Sequence, residues 1–302
     1  MDLKSVETVL SIIVMVILGY LIRRWGVLEA KDAQSLNKIV VNLAIPSMIF
    51  LAMYGADLSI IPILAPIPLV CIMVAAITGT LAYIWTRSKN LPQKTRWSII
   101  IPAAMLNSGF LGYPIALGVF GTDGLVRAIF YDMGSILVFI GFGIILLFIF
   151  GGRYQDILKR AIIFPPLWGI ILGTAANYWT IPLGFLVDDV LGYLAGAAIP
   201  LIMISLGLSL ELKGIKENIE AATITSIIRL IISPAIAFLI VYMIGMSGLE
   251  RTVTIIQAAM PSAMLSMVLA INYELDLKLT ASCVFFTTIL SLVTLPLIMA
   301  LI

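Results

Sequence analysis

The 302-residue chain has no histidine, only two cysteines, and a charged fraction of 11%. Each shortage excludes something. Without histidine the commonest general base and metal ligand is missing, so zinc hydrolases, Ser-His-Asp hydrolases and phosphohistidine chemistry are ruled out. Cys71 and Cys283 both lie inside apolar runs; they read as small buried hydrophobes rather than a disulfide framework or metal site. A soluble domain carries about a quarter charged residues. With 11% charged, 62% hydrophobic and a mean hydropathy of +1.15, this chain reads as a polytopic helical membrane protein. Eighteen basic against sixteen acidic side chains, net +2, offer no clustered basic surface, so nucleic acid is not an expected partner.

What the sequence has is apolar length. A bilayer core takes about 20 mostly apolar residues per helix. Cutting at charges, Gly/Pro clusters and aromatic belts gives ten segments, centred near Val14, Ile45, Met73, Gly109, Val138, Ile171, Met203, Ile232, Pro261 and Leu290. The first lacks an A-x-A-like cleavage site and runs into Arg23-Arg24, so it is expected to be a retained span and not a signal peptide. The longest polar connector is Gly151 to Arg160. Lys4, Arg127 and Arg251 fall on one side of the membrane and fourteen basic residues, from Arg23 to Lys278, on the other. That asymmetry predicts a multi-pass protein of the cell (inner) membrane with both termini outside. Trp25, Trp85, Trp97 and Trp179 sit at span ends, as interfacial anchors do.

The chain also repeats itself. Arg96-Trp-Ser-Ile-Ile-Ile-Pro-Ala-Ala-Met105 aligns with Arg251-Thr-Val-Thr-Ile-Ile-Gln-Ala-Ala-Met260 at an offset of 155, with six of ten positions identical, and Ala44-Ile-Pro46 matches Ala198-Ile-Pro200 at 154. Two five-helix units follow, roughly residues 1–152 and 153–302. Five is odd, so the second unit enters from the opposite side, and inverted repeats are characteristic of alternating-access transporters.

The fourth and ninth spans are broken. Pro102, Asn107, Ser108, Gly109, Gly112 and Pro114 crowd one stretch; Met260-Pro261-Ser262 interrupts the other, with Ser262 opposite Asn107 in the repeat. Proline removes a helical hydrogen bond and glycine permits unwinding. Unwound backbone at membrane depth requires protein or a watery cavity around it, and the half-helix ends then attract an anion at their amides and a cation at their carbonyls. A packing kink is the plainer explanation for either break alone; breaks at matching places favour a binding site. Within the spans, Asp132 lies a turn or two inside the fifth: either a proton- or sodium-binding carboxylate or a charge at the headgroup level. Arg229 in the eighth either neutralises a carboxylate substrate or extends toward the interface. Asn42, Ser205, Ser209, Ser266 and Asn272 are uncharged polar residues whose default role is helix–helix hydrogen bonding. Tyr131-Asp132 resembles half of an intramembrane aspartyl protease site, but no G-x-G-D supplies the second carboxylate.

Val41-Asn-Leu-Ala-Ile-Pro46, Leu106-Asn-Ser-Gly-Phe-Leu-Gly-Tyr-Pro-Ile115, Ile204-Ser-Leu-Gly-Leu208, Met260-Pro-Ser262 and Thr287-Thr-Ile-Leu-Ser-Leu-Val-Thr-Leu-Pro296 together resemble the auxin efflux carrier family, which includes plant auxin exporters and bacterial malonate or malate permeases. The resemblance spans the chain and implies an all-α membrane protein of ten transmembrane helices in two inverted repeats. Broken helices 4 and 9 would cross, as in bile-acid/sodium symporter and sodium/proton antiporter architectures. It implies a transport domain of helices 3–5 and 8–10, a scaffold of helices 1, 2, 6 and 7, and a homodimer. The plant Pro-Asn pair of helix 4 is Leu106-Asn107 here, and the helix 9 proline is Pro261.

The expectation is thus a secondary transporter and not an enzyme, moving a small organic carboxylate by an elevator-like cycle in the lipid bilayer. Asn107, Ser108, Gly109, Pro114, Pro261, Ser262, Ser266 and Ser205 are its candidate substrate residues. Asp132 and Asn272 are candidates for ion coupling, and Arg229 for charge pairing. No cofactor is expected beyond a coupling sodium ion or proton. A sodium/proton antiporter or sodium-coupled organic-anion symporter of the same fold is the alternative.

Overall fold

Uncharged runs of Leu, Ile and Val can satisfy their backbone in lipid only as helices or closed barrels. The computed structural model, which describes residues 3–152, 163–210 and 216–302, takes the helical solution throughout. Among the described residues there is no strand, only a two-residue antiparallel bridge between Leu106 and Ser262. In chain order the helices are α1 (Leu3–Arg24), α2 (Asp32–Tyr54), α3 (Ile67–Ser88), α4 (Gln93–Ala104), α5 (Tyr113–Phe150) and α6 (Pro165–Tyr178). They continue as α7 (Gly184–Ser209), α8 (Ile219–Met243), α9 (Gly248–Ala258), α10 (Leu265–Asn272) and α11 (Leu277–Leu301). The connector expected at 151–160 lies, after its first two residues, outside the described residues.

Among the described residues, six helical stretches are long and apolar enough to cross a bilayer: Asp32–Tyr54, Leu58–Ser88, Ser108–Phe150, Gly184–Ser209, Ile219–Met243 and Leu277–Leu301. The count falls below ten for physical reasons. Helices α4 and α9 have 12 and 11 residues, about 18 and 16 Å at 1.5 Å per residue; each reaches only about half-way through a core of about 30 Å. Conversely, the 43 residues of Ser108–Phe150 would extend about 65 Å, twice what one crossing needs. Gly121 (φ 68°, ψ −162°) breaks α5 into arms of residues 113–120 and 122–150, in a conformation that glycine alone adopts without strain.

Proline sets the helix irregularities. Wide, π-type turns occur at Val40–Ala44, Ser108–Gly112 and Ile228–Ile232, each ending two residues before a proline: Pro46, Pro114 and Pro234. A helical proline has no N–H and clashes with the carbonyl four residues back; the extra residue in the wide turn absorbs both problems. One of these turns carries Asn42, which is exposed and donates to Lys38 O at 2.7 Å. Another carries Arg229 into the protein interior.

Two packing groups result. Helices α1, α2, α6 and α7 interlock through bare backbone: a Cβ on Gly207 of α7 would collide with the Val16 carbonyl of α1, and one on Gly173 of α6 with Phe50 O of α2. The other group is built on α3, α4, α8 and α11. Ala82, Ile100, Ala103 and Ile228 form one buried cluster and Ile99, Ala221, Leu279 and Cys283 another. The second arm of α5 joins this group, with Gly134 against Pro68 O in the first turn of α3.

Candidate binding site at two broken helices

Helix α4 stops at Ala104, and Met105 (φ −89°, ψ 133°) turns the chain extended until the wide turn at Ser108. Helix α9 stops at Ala258, and α10 begins at Leu265. The two interruptions lie against each other. Asn107 N donates to Pro261 O at 2.8 Å, and Ala263 N donates to Met105 O at 3.0 Å. A helix end leaves backbone donors and acceptors unpaired, which is costly where no water reaches; each break supplies what the other lacks. Ser262 N finds a third partner in Thr287 Oγ1 of α11 (3.2 Å), which in turn donates to Val284 O.

The carbonyl ends of α4 and α9 converge on one side chain. Arg229, fully buried, donates from Nη1 to Ala103 O and Ala104 O (both 3.3 Å) and from Nη2 to Ala258 O (3.0 Å) and Ser233 Oγ (2.9 Å). Ser233 Oγ also donates to Ala258 O at 2.7 Å. A helix C-terminus carries about half a negative charge, so two of them balance one guanidinium. Both expectations for Arg229 are therefore corrected. It does not extend to an interface, because one turn of helix places it on the crossing. Nor does it line a cavity where a substrate carboxylate could reach it: carbonyls and a hydroxyl already engage it.

On the opposite side of the crossing lies a cavity of about 640 Å³. Asn107, Ser108, Gly109, Met264 and Leu265 line its inner wall, so the N-terminal ends of both continuing helices border it. From there it extends past Ile271 and Leu277 to Gln34, Asn37 and Pro166, near the helix ends joined by the basic loops. Asn107 is 4% exposed; its Oδ1 accepts from Phe110 N at 3.2 Å, capping the wide turn, while its Nδ2 has no hydrogen-bond partner.

Asp132 also borders this cavity. It lies ten residues beyond the start of the second arm, about 15 Å along the axis, because Gly121 starts that arm earlier than hydropathy alone predicts. Ser108 Oγ donates to Asp132 Oδ1 and Tyr113 OH donates to Oδ2 at 2.7 Å. Ser135 Oγ lies 3.3 Å from Ser108 Oγ and 3.4 Å from Cys71 Sγ.

Residues 4–160 and 152–299 match the family described as membrane transport protein. The chain belongs to that family. Relatives within the membrane transport protein family span it end to end. An uncharacterized transporter of Methanothermobacter thermautotrophicus is 50% identical over 97% of both chains, and one of Methanocaldococcus jannaschii 39% identical over 96% of both. Auxin efflux carrier component 6 of Arabidopsis thaliana is 30% identical over 42% of this chain and 22% of its own. The resemblance noted in the sequence is thus shown.

For this transport family member, the cavity gathers Asn107, Ser108, Gly109 and Asp132 of the expected site residues. Pro114, Pro261, Ser262 and Ser266 are buried at the crossing but do not line the cavity; the Oγ atoms of both serines lack partners. Ser205 does not line the cavity. It is fully buried between α7 and α2, donating to Asn37 Oδ1 (2.7 Å) and Ala33 O (3.2 Å). Asn272 is exposed at the last residue of α10, away from Asp132's hydroxyl cluster. Neither could be separated from Ser108 by polarity alone.

Sequence reasoning missed Tyr113, Ser135, Ser233 and Thr287. Two carried signals: Ser233 is four residues from Arg229, on the same helix face, and Thr287 is 155 residues from Asp132, the offset of the repeat. It also missed Gln257, fully buried against Gly112, whose amide nitrogen and oxygen both lack partners; it stands 155 residues from Pro102.

Proposed function

We propose that this membrane transport protein is a secondary transporter for a small organic carboxylate anion. The observation that carries the reading is the crossing: two helices interrupted 155 residues apart, tied to each other by backbone hydrogen bonds, with their carbonyl ends neutralised by Arg229 and their amide ends facing a cavity. Helix amide ends carry about half a positive charge each and are suited to a carboxylate. Asn107 Nδ2, unpaired at the cavity wall, adds a directed donor.

The rest of the reading completes the cycle. Ten spans form two inverted five-helix repeats, residues 1–152 and 153–302, in the inner membrane with both termini outside. Helices α1, α2, α6 and α7 are the scaffold, of a homodimer, and the remaining helices move as the transport domain. The cavity reaches toward the basic-loop side, so this conformation is the inward-open one. Elevator-like displacement of the crossing then exposes the same amide ends to the outside. A cation antiporter of the same architecture is the second reading, favoured by Asp132 at the cavity wall.

The test is flux in proteoliposomes across mono- and dicarboxylates, with Asn107→Ala as the diagnostic variant. Flux falls at least tenfold while the protein stays monodisperse and thermally folded. Wild-type flux in that variant overturns the site. Sodium–proton exchange that survives Asn107→Ala but not Asp132→Asn establishes the antiporter instead.

A further inference from the structure

We infer that Asp132 takes up one proton for each carboxylate anion that binds at the crossing, so that anion and proton cross the membrane together. This rests on the carboxylate reading above and names the coupling that reading leaves open.

Three observations carry it. The first is the charge inventory. Two helix carbonyl ends are matched by Arg229. Two amide ends, of about half a positive charge each, are matched by the carboxylate of Asp132, which sits on Ser108 at the first of them. The crossing is then neutral before substrate arrives, and an anion brings a negative charge with no counterpart. Neutralising Asp132 restores the balance.

The second is the cavity lining. Asp132 is its only charged side chain among the described residues; no Lys or Arg lines it. An anion beside Asn107 thus faces a like charge held by the neighbouring residue, in a mostly apolar chamber where such repulsion is weakly screened. The other titratable groups facing Asp132 are Tyr113 OH at the start of α5, and Cys71 Sγ of α3 beyond Ser135. Tyr131 adjoins it on its own helix. Arg229 of α8 is the nearest cation in the crossing and is already engaged by carbonyls.

The third favours a proton over a metal cation. Hard cations seek oxygen ligands, several at once, and in a broken helix these are the freed carbonyls. Here five of them are engaged: Ala103, Ala104 and Ala258 by Arg229, Met105 by Ala263 N, and Pro261 by Asn107 N. A proton needs only hydroxyls that can turn. The protonated carboxyl donates to Ser108 Oγ, Ser108 redirects its hydrogen to Ser135 Oγ at 3.3 Å, and Tyr113 OH continues to donate to the second carboxyl oxygen. The proton comes from cavity water on binding and returns to water on release.

The experiment uses the full chain, purified in weakly buffered detergent, with malonate, malate and indole-3-acetate as probes. A pH electrode and an equilibrium binding measurement together give protons taken up per anion bound. The expected value is close to one for wild type and close to zero for Asp132→Asn. In proteoliposomes, a proton gradient directed inward (acid outside, alkaline inside) drives anion accumulation by wild type, and Asp132→Asn loses it. Asp132→Glu, which keeps a titratable carboxyl, retains proton uptake, and a wild-type size-exclusion profile and melting temperature show that Asp132→Asn is folded. Binding without proton uptake by wild type overturns the coupling, as does accumulation that follows a sodium gradient. Failure of every probe to bind or exchange overturns the carboxylate reading itself, and the coupling with it.

Discussion

The two breaks solve one backbone problem with different side chains. At the first, Asn107 caps the wide turn and the next arm presents Asp132 to Ser108. At the second, Ser262 is fully buried and the following helix presents Thr287, whose hydroxyl accepts from Ser262 N. Asp132 and Thr287 stand 155 residues apart. One break thus places a carboxylate beside the cavity and the other a neutral hydroxyl in the interior; on the proposed reading, the first break meets the substrate and the second holds the crossing in shape. Arg229 serves both, since its partners come from α4 and α9 alike.

Removing that shared residue breaks the comparison altogether and carries the largest expected effect. Arg229→Met leaves the Ala103 and Ala104 carbonyls without their donor in the interior, with Ala258 O held by Ser233 alone, and stripping one member from a buried charged network costs about 3–5 kcal/mol. The variant is expected to lose most of its folded yield, read by fluorescence-detected size exclusion. Arg229→Lys keeps the charge but not the forked geometry, and should recover an intermediate melting temperature. Next in size is the flux contrast between the breaks: Asn107→Ala lowers carboxylate flux at least tenfold, Ser262→Ala less than threefold. Equal losses in the two variants would show that both breaks touch substrate.

How far the sequence reached follows from what lipid selects. Apolar run length and the Pro/Gly clusters locate the helices and both interruptions, because hydrocarbon tolerates no unpaired backbone. Which face of a helix meets protein is much harder to read, since lipid tails are as apolar as leucine and give the pattern no contrast. Ser108 and Ser205 look alike as serines within apolar helices; one borders the cavity and the other ties α7 to α2. Arg229 was ambiguous because the direction of a long side chain depends on the wide turn before Pro234, a device visible only in the fold. The position of Asp132 along its arm depends on Gly121, one glycine among 23.

Thr287→Val isolates the role of the second break. It removes the acceptor of Ser262 N and leaves a buried amide unpaired, which costs about 1–3 kcal/mol. Thermal unfolding should register this as a lowered midpoint, whereas Thr287→Ser, which restores an Oγ, should not. If the second break is structural, the residual flux per folded molecule stays within threefold of wild type in Thr287→Val. A tenfold loss per folded molecule would instead place Thr287 on the substrate path and erase the distinction between the breaks.

The smallest expected effect tests the boundary of the site. Ser205 was attractive in sequence, yet its hydroxyl is spent on Asn37 and Ala33, between helices that pack away from the crossing. Ser205→Ala removes one net hydrogen bond, worth about 1 kcal/mol, and leaves the Asn107 end of the cavity untouched. Flux should stay within twofold of wild type with a slightly lowered melting temperature. Asn37 also lines the cavity, so the releasing of its side chain gives the variant a single route to transport. A large flux change with unchanged stability would mean that the α2 wall of the cavity, and not only the broken helices, contacts the substrate.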